Sequence, residues 1–282
     1  MSCNNPLYEK EELACMNTFL TDAEGEGIPF YFYKSVSEGH PEPDFDEEAH
    51  TLYVDAPDGL AGTGKKTAAA LKAILPLDFD YVIKTNVSTY LNIKNIIDGT
   101  RNWTGKDDTN IYGGRYIINK SSLNIPFPGG CFLVLSKTLT KGMLDTLETL
   151  TNRSSMPKTD DTLICLATLY HIQKQLNANY IDKIKQVPSV ALWTKDIVED
   201  PMFRNAFAIR CKDETDQENT PGNILMTHTL IKEGNSPELN YIPAKEYETG
   251  LGLMNYADYI KVDKALSVLK KLKEIRNEGT TE

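Results

Sequence analysis

The sequence predicts an α/β protein with a mostly parallel central sheet flanked by helices. Short apolar, β-branched runs alternate with stretches of helical period, as in Thr51–Val54, then Thr67–Leu75, then Tyr81–Ile83. That alternation is the mark of strands joined by crossover helices. Several runs break abruptly into polar or glycine-rich residues, at the strand ends where an open α/β sheet places its ligands. The 282 residues are 40% hydrophobic, enough to give one large domain a continuous core.

Taken in order, Met1 to Pro6 reads as a turn and Glu9–Leu20 as a helix, with Leu13, Met16 and Leu20 on one face. A domain of this class ordinarily opens with a strand, so the expectation is a first strand that is truncated or vestigial. Ile28–Lys34 is the next strand. Ser37–Glu48 is an acidic loop with two prolines and a glycine. Thr51–Val54 is a strand ending in the turn-rich Asp55-Ala56-Pro57-Asp58-Gly59. Thr67–Leu75 is a helix with Ala70, Leu71 and Ile74 on its apolar side, and Tyr81–Ile83 is a buried strand that gives way to the polar Lys84–Thr89.

Asn110–Asn119 is polar-aromatic and extended, and contains Gly113-Gly114-Arg115. Ile125–Gly130 is a turn leading into the apolar strand Cys131–Ser136. The adjacent Gly129 and Gly130 mark a tight turn or a close backbone approach to a ligand. Lys141–Leu150 and Leu163–Ile172 are helices. Asp160 and Asp161, just before the second, read first as helix-capping carboxylates. Val190–Phe207 carries Trp193, Met202 and Phe203, which line an acceptor cleft or belong to the core. Lys212–Pro221 is a loop, and Asp263–Arg276 an amphipathic helix. The chain therefore divides into one domain over 1–260 and a C-terminal helix and tail over 261–282. That helix docks on its own domain, with peripheral contact to an anionic membrane as the lesser reading.

Charge and composition narrow the function. A net charge of -10, from 40 acidic and 30 basic residues, argues against nucleic acid as a partner. A phosphorylated small molecule needs only a local basic pocket. No apolar run is long enough to span a membrane, and no signal peptide opens the chain. The five widely spaced cysteines read as reduced thiols of a cytoplasmic protein. On that reading the Asn-x-Ser/Thr triplets at Asn86, Asn102, Asn119 and Asn152 are chance matches. Gly59-Leu60-Ala61-Gly62-Thr63-Gly64-Lys65-Lys66 nearly matches a phosphate-binding loop, but Lys66 stands where that loop needs a magnesium-binding hydroxyl.

Spacing and order together connect these pieces. Asp58 with Lys66-Thr67, then Tyr81-Val82-Ile83-Lys84-Thr85-Asn86-Val87-Ser88-Thr89-Tyr90-Leu91-Asn92, then Pro126, Phe127, Gly130, Leu133 and Ser136, then Asp160-Asp161, follow one another as conserved blocks do in one family. The chain resembles the β-1,3-galactosyltransferase and Fringe-like group of GT-A glycosyltransferases, over at least Asp58 to Ala167. Where that group carries its D-x-D metal motif, this chain has Asn86-Val87-Ser88.

The resemblance implies a GT-A-like fold and transfer of a hexose or N-acetylhexosamine from a UDP-sugar to a hydroxyl-bearing acceptor such as a glycan, with inversion. It implies Asp161 as general base. It puts Lys84, Asn86, Ser88, Lys66, Asp55, Gly129 and Gly130 around the donor, and Asp160 and Trp193 on the acceptor side. His228 and Ser88 are the candidate metal ligands. A divalent cation, manganese or magnesium, is called into question by the loss of both aspartates, because neutral oxygens supply no charge to hold it. The other reading is a catalytically degenerate protein of the same fold that binds a nucleotide sugar or a glycan.

Overall fold

The computed structural model describes residues 1–103, 110–118, 126–153, 159–178, 184–187, 189–190, 201–213 and 215–233. The chain opens with helix α1 (Pro6–Cys15), whose start is fixed by Asn5. The Asn5 carboxamide oxygen accepts from the Leu7 nitrogen at 2.9 Å, and Pro6 sits where its missing N–H is not needed. A wide π turn (Met16–Leu20) carries the helix into α2 (Thr21–Gly25). Strands β1 (Phe32–Ser35), β2 (Asp44–Asp46) and β3 (Thr51–Val54) follow. Helix α3 (Thr63–Ile74) leads to β4 (Tyr81–Thr85), β5 (Thr89–Leu91) and α4 (Ile93–Thr100). Next come β6 (Tyr112–Ile118), β7 (Pro126–Ser136), α5 (Lys137–Thr151) and α6 (Asp160–Tyr170). The described elements end with β8 (Ile184–Gln186), β9 (Ser189–Val190), α7 (Pro201–Asn205), β10 (Ala208–Arg210) and α8 (Thr220–Glu233).

The architecture is mixed α/β, with strands in the orders β1-β3-β2, β4-β7-β6-β8 and β5-β10-β9. The sheets are not the mostly parallel central sheet that the sequence predicts. Strand β7 runs antiparallel to both β4 and β6, and in that sheet only β6 and β8 are parallel. Residues 119–125 separate β6 from β7, too few for the crossover that parallel pairing demands. Parallel pairing does join β1 to β3, between which 15 residues leave room for β2.

Strand β7 organises the packing because it is apolar on both faces. Phe127, Leu133 and Leu135 point into a core shared with α3, α5 and α6. Phe132 and Val134 point the opposite way, into a core made with α1, α4, β5, β10 and α8. Alternate side chains of a strand face opposite sides, so one strand serves two layers. A third cluster joins Tyr33, Leu52, Val54 and Ala70. No helix among the described residues is long and apolar enough to cross a membrane.

Several elements differ from expectation for local reasons. Helix α3 begins a turn before Thr67, at the end of the glycine-rich stretch. β4 runs on through Lys84 and Thr85, because both pair with β7. Strand β2 forms inside the acidic loop, pairing antiparallel with β3. Helix α4 was not anticipated, although Asn92 caps it by accepting from the Asn95 nitrogen. The stretch ending at His228 is helical, and His228 lies within α8. The Asp263–Arg276 helix falls outside the described residues.

Glu11 is 2% exposed, and its Oε2 has no hydrogen-bond partner among the described residues. Burial pushes its pKa up to about 7, with Lys212 opposing. A carboxyl with a raised folded pKa holds its proton longer in the folded state, so this group makes the fold less stable as pH rises from about 4.5 to above 7. Glu11→Gln is expected to raise stability at pH 8 by roughly 1–3 kcal/mol and to change it little at pH 5. Urea unfolding at the two pH values measures this.

Candidate functional site

The site forms where the carboxyl end of β4 meets the two glycines of β7 and the first residues of α6. Gly129 and Gly130, expected in a turn before the strand, lie within β7 itself. The β4–β7 register pairs Val82 with Leu135 and Lys84 with Leu133. Directly opposed residues share a face, so Lys84 projects to the side of β7 that α6 covers. There its Nζ lies 2.5 Å from Asp160 Oδ2, donates to the Gly130 carbonyl at 2.8 Å and reaches Asn86 Oδ1 at 3.4 Å. An ammonium has three protons, and here each has an acceptor.

The pair is buried, with Lys84 4% and Asp160 7% exposed. Asp160 Oδ2 also accepts from the Thr67 hydroxyl at 3.2 Å. Thr67 has thereby committed its proton, so in the 3.1 Å contact between Tyr33 and Thr67 the tyrosine donates. A continuous chain of polar groups thus runs from β1 through α3 and α6 to β4 and β7. Burial alone would lower the lysine pKa, but Asp160 and Tyr33 together hold it above its ordinary value. Burial likewise opposes ionisation of Asp160, and Lys84 outweighs it, so this carboxyl stays below the usual carboxylate range.

Asp161 differs from its neighbour. It is half-buried, its Oδ2 accepts from the Gly130 nitrogen at 3.2 Å, and its Oδ1 accepts from the Thr162 nitrogen at 2.8 Å. The Thr162 hydroxyl also reaches Oδ1, at 3.5 Å. A carboxylate has about four lone-pair sites, so one remains to accept from a hydroxyl. A Cβ at Gly130 would lie 3.3 Å from both the Cβ and the Oδ2 of Asp161, tighter than this carboxylate can accept without moving.

The structure thus brings Lys84, Asn86, Gly130, Asp160 and Asp161 together, with Gly129 buried beside them in β7. Asp160, expected on the acceptor side, is buried against Lys84. Lys84, expected to contact a donor, has its three protons occupied. The Asn86 carbonyl accepts from the Thr89 nitrogen at 3.1 Å, within the turn from β4 into β5, and the Ser88 carbonyl accepts from the Cys211 nitrogen just past β10 at 2.8 Å. Lys66 is fully buried. It pairs with Asp58 and donates to the Ser2 carbonyl at 3.0 Å, so it ties the first residues to the loop before α3. Asp55 is exposed and lines a separate groove with Lys65, Tyr53 and Asn152. Trp193 lies outside the described residues. Thr67 and Tyr33 complete the polar chain; Thr67 was legible only as the neighbour of Lys66, and nothing local marked Tyr33.

His228 sits in another environment. Its Nδ1 is 3.4 Å from the Tyr90 hydroxyl and 4.0 Å from the Asp22 carboxylate. Burial lowers its pKa, Asp22 opposes the shift and Lys232 reinforces it. Among the described residues no three His, Cys, Asp or Glu side chains converge as a metal site would require. With neutral Asn86 and Ser88 and a histidine committed to Tyr90, the expected ligand set does not fit a divalent cation.

Comparison with protein-family models gives no match to this chain. No curated protein matches it significantly either.

Removing one partner of the buried pair should leave the other charge uncompensated. Lys84→Met and Asp160→Asn are each expected to cost about 3–5 kcal/mol, and the double variant Lys84→Met/Asp160→Leu to recover most of that. Denaturant unfolding of the three variants at pH 7 decides it. The pH limits follow from the signs. The aspartate's contribution is present above the ordinary carboxyl pKa, near 4, and is lost as pH falls through its depressed folded value. The lysine's is present below about 10.4 and is lost as pH rises through its raised folded value.

Proposed function

We propose that the chain is a GT-A-like glycosyltransferase that uses Asp161 as general base to transfer a sugar from a UDP-sugar to an acceptor hydroxyl. The observation that carries this reading is the meeting of three separate sequence blocks at one strand end. These are the Lys84–Asn86 stretch, the Gly129-Gly130 pair within β7 and the Asp160-Asp161 helix start. The contacts among them are direct. Of the two carboxylates, only Asp161 has both exposure and an unused lone pair.

In the reaction, the acceptor oxygen attacks the anomeric carbon as the bond from that carbon to the diphosphate breaks. The acceptor proton passes to an Asp161 oxygen, and the diphosphate leaves with the bonding pair. The Gly130 N–H holds the carboxylate in place for that transfer, and the buried Lys84–Asp160 pair holds Gly130 through its carbonyl.

A second reading, a binder of the same fold without turnover, is favoured by the neutral Asn86 and Ser88 and by a Lys84 saturated within the protein. A UDP-sugar panel followed by thermal shift, with and without manganese, tests the shared claim. The expected result is stabilisation by at least one UDP-sugar that changes little on adding manganese. No shift with any nucleotide sugar overturns the enzyme and the nucleotide-sugar binder alike, and leaves only a binder of glycans. Asp161→Asn then separates them. For the enzyme, transfer falls by about 10²–10⁴-fold while donor binding and unfolding temperature stay near the parent values. For the binder, no transfer is measurable in either protein.

A further inference from the structure

Helix α6 opens with a departure from ordinary capping. Thr159 stands at its N-cap, yet the Thr159 side chain accepts from no backbone N–H. A threonine there normally accepts from the second or third N–H of the helix. The third belongs to Thr162, and Asp161 Oδ1 has taken it at 2.8 Å. Thr159 instead donates its hydroxyl proton to Thr162 Oγ1 at 2.9 Å. A hydroxyl has one proton to give. With its oxygen accepting from Thr159, Thr162, 3% exposed, directs its own proton to Asp161 Oδ1 at 3.5 Å.

The two oxygens of Asp161 are therefore not equivalent. Each carboxylate oxygen accepts along two lone-pair directions. Both directions of Oδ1 are met by Thr162, through its N–H and its hydroxyl. Oδ2 has one donor, the Gly130 N–H at 3.2 Å, and one direction open. Oδ1 could take a proton only by giving up a Thr162 donor. A proton on Oδ2 disturbs neither, since Oδ1 then becomes the carbonyl oxygen and keeps both. The oxygens are also held from two elements, Oδ1 from α6 and Oδ2 from β7. The carboxylate therefore cannot turn about its own axis without breaking a bond on each side.

We propose that Thr162 is a positioning residue that closes Oδ1, so that Oδ2, beside Gly130, is the oxygen that takes the acceptor's proton. This rests on the glycosyltransferase reading. In the transfer the acceptor O–H bond breaks as its oxygen bonds to the anomeric carbon. That proton goes to Oδ2. The bond between the anomeric carbon and the diphosphate breaks, and its electron pair leaves with the diphosphate. The acceptor hydroxyl then lies on the Gly130 side of the carboxylate, where a glycine contributes no side chain to obstruct it.

The test compares Thr162→Val, which keeps the volume and the N–H but loses the hydroxyl, with Thr162→Ser, which keeps the hydroxyl and loses the methyl. Thr159 is exposed, so water replaces the partner it loses in the valine variant. UDP release is followed with the UDP-sugar that stabilises the chain and a panel of p-nitrophenyl glycosides as acceptors. The expected result is a kcat about 10–100-fold lower in Thr162→Val, with KM unchanged, and a kcat near the parent value in Thr162→Ser. Packing alone gives the reverse order, a near-normal valine variant and an impaired serine variant, and that order overturns the proposal. Amide exchange at Gly130 is a readout that needs no turnover. It is expected to quicken in Thr162→Val and not in Thr162→Ser, under conditions where both stay folded; unchanged exchange in the valine variant overturns the proposal. Undiminished UDP release by Thr162→Val overturns it alone. No release by the parent overturns the glycosyltransferase reading beneath it as well.

Discussion

A lysine ammonium buried against an aspartate is the constraint on which much of this structure depends. Taking both charges out of water costs several kcal/mol per ion unless every proton and lone pair finds a partner. Lys84 meets that demand with a carboxylate, a main-chain carbonyl and a side-chain amide oxygen. The acceptors come from α6, from β7 and from the turn after β4. Asp160 in turn recruits α3 through Thr67, and Thr67 recruits β1 through Tyr33. Five elements are therefore positioned by one requirement, that no charge in the cluster be left unmatched. A small shift of any one would leave a buried ion short of a partner, so the cluster fixes the relative placement of elements that apolar packing alone would let slide.

That network also sorts the two adjacent carboxylates. Asp160 faces the interior and is neutralised there. Asp161 faces outward, held by the Gly130 N–H. Adjacent residues at a helix start point in different directions, and here the difference separates a structural charge from one that can meet a ligand. The fixed carbonyl and N–H of Gly130 link the two, since one residue bonds the lysine on one side and Asp161 on the other.

Much of this was legible in the sequence, unevenly. The strand Thr51–Val54 stands where its β-branched run placed it, and the apolar run after Gly130 is the two-faced β7. The blocks that carry Lys84, Gly130 and Asp161, set apart in the sequence, meet at one strand end. What failed needed information that no local pattern carries. Lys84 and Lys66 read as cations that face a donor; their burial is decided by Asp160, 76 residues later, and by Ser2, 64 residues earlier. His228 read as the end of an apolar run, whereas α8 places it against Tyr90. Strand polarity was misjudged because an alternation of strands and helices gives the number of elements but not their pairing. The short link between β6 and β7 was the available signal for an antiparallel neighbour.

The two-faced character of β7 also bears on the order in which the chain assembles. Its pairing with β6 closes only a short loop, whereas its pairing with β4 joins Tyr81 to Ser136 and Thr85 to Phe132, across some fifty residues. Closing the longer loop loses more chain entropy before any contact rewards it. The hairpin of β6 and β7 is thus the local nucleus, and α5, capped by Ser136 at the very end of β7, follows on the same stretch of chain. Only when β4 docks do Lys84 and Asp160 come within reach, so the most demanding electrostatic contact closes last, onto a frame that apolar packing has already built.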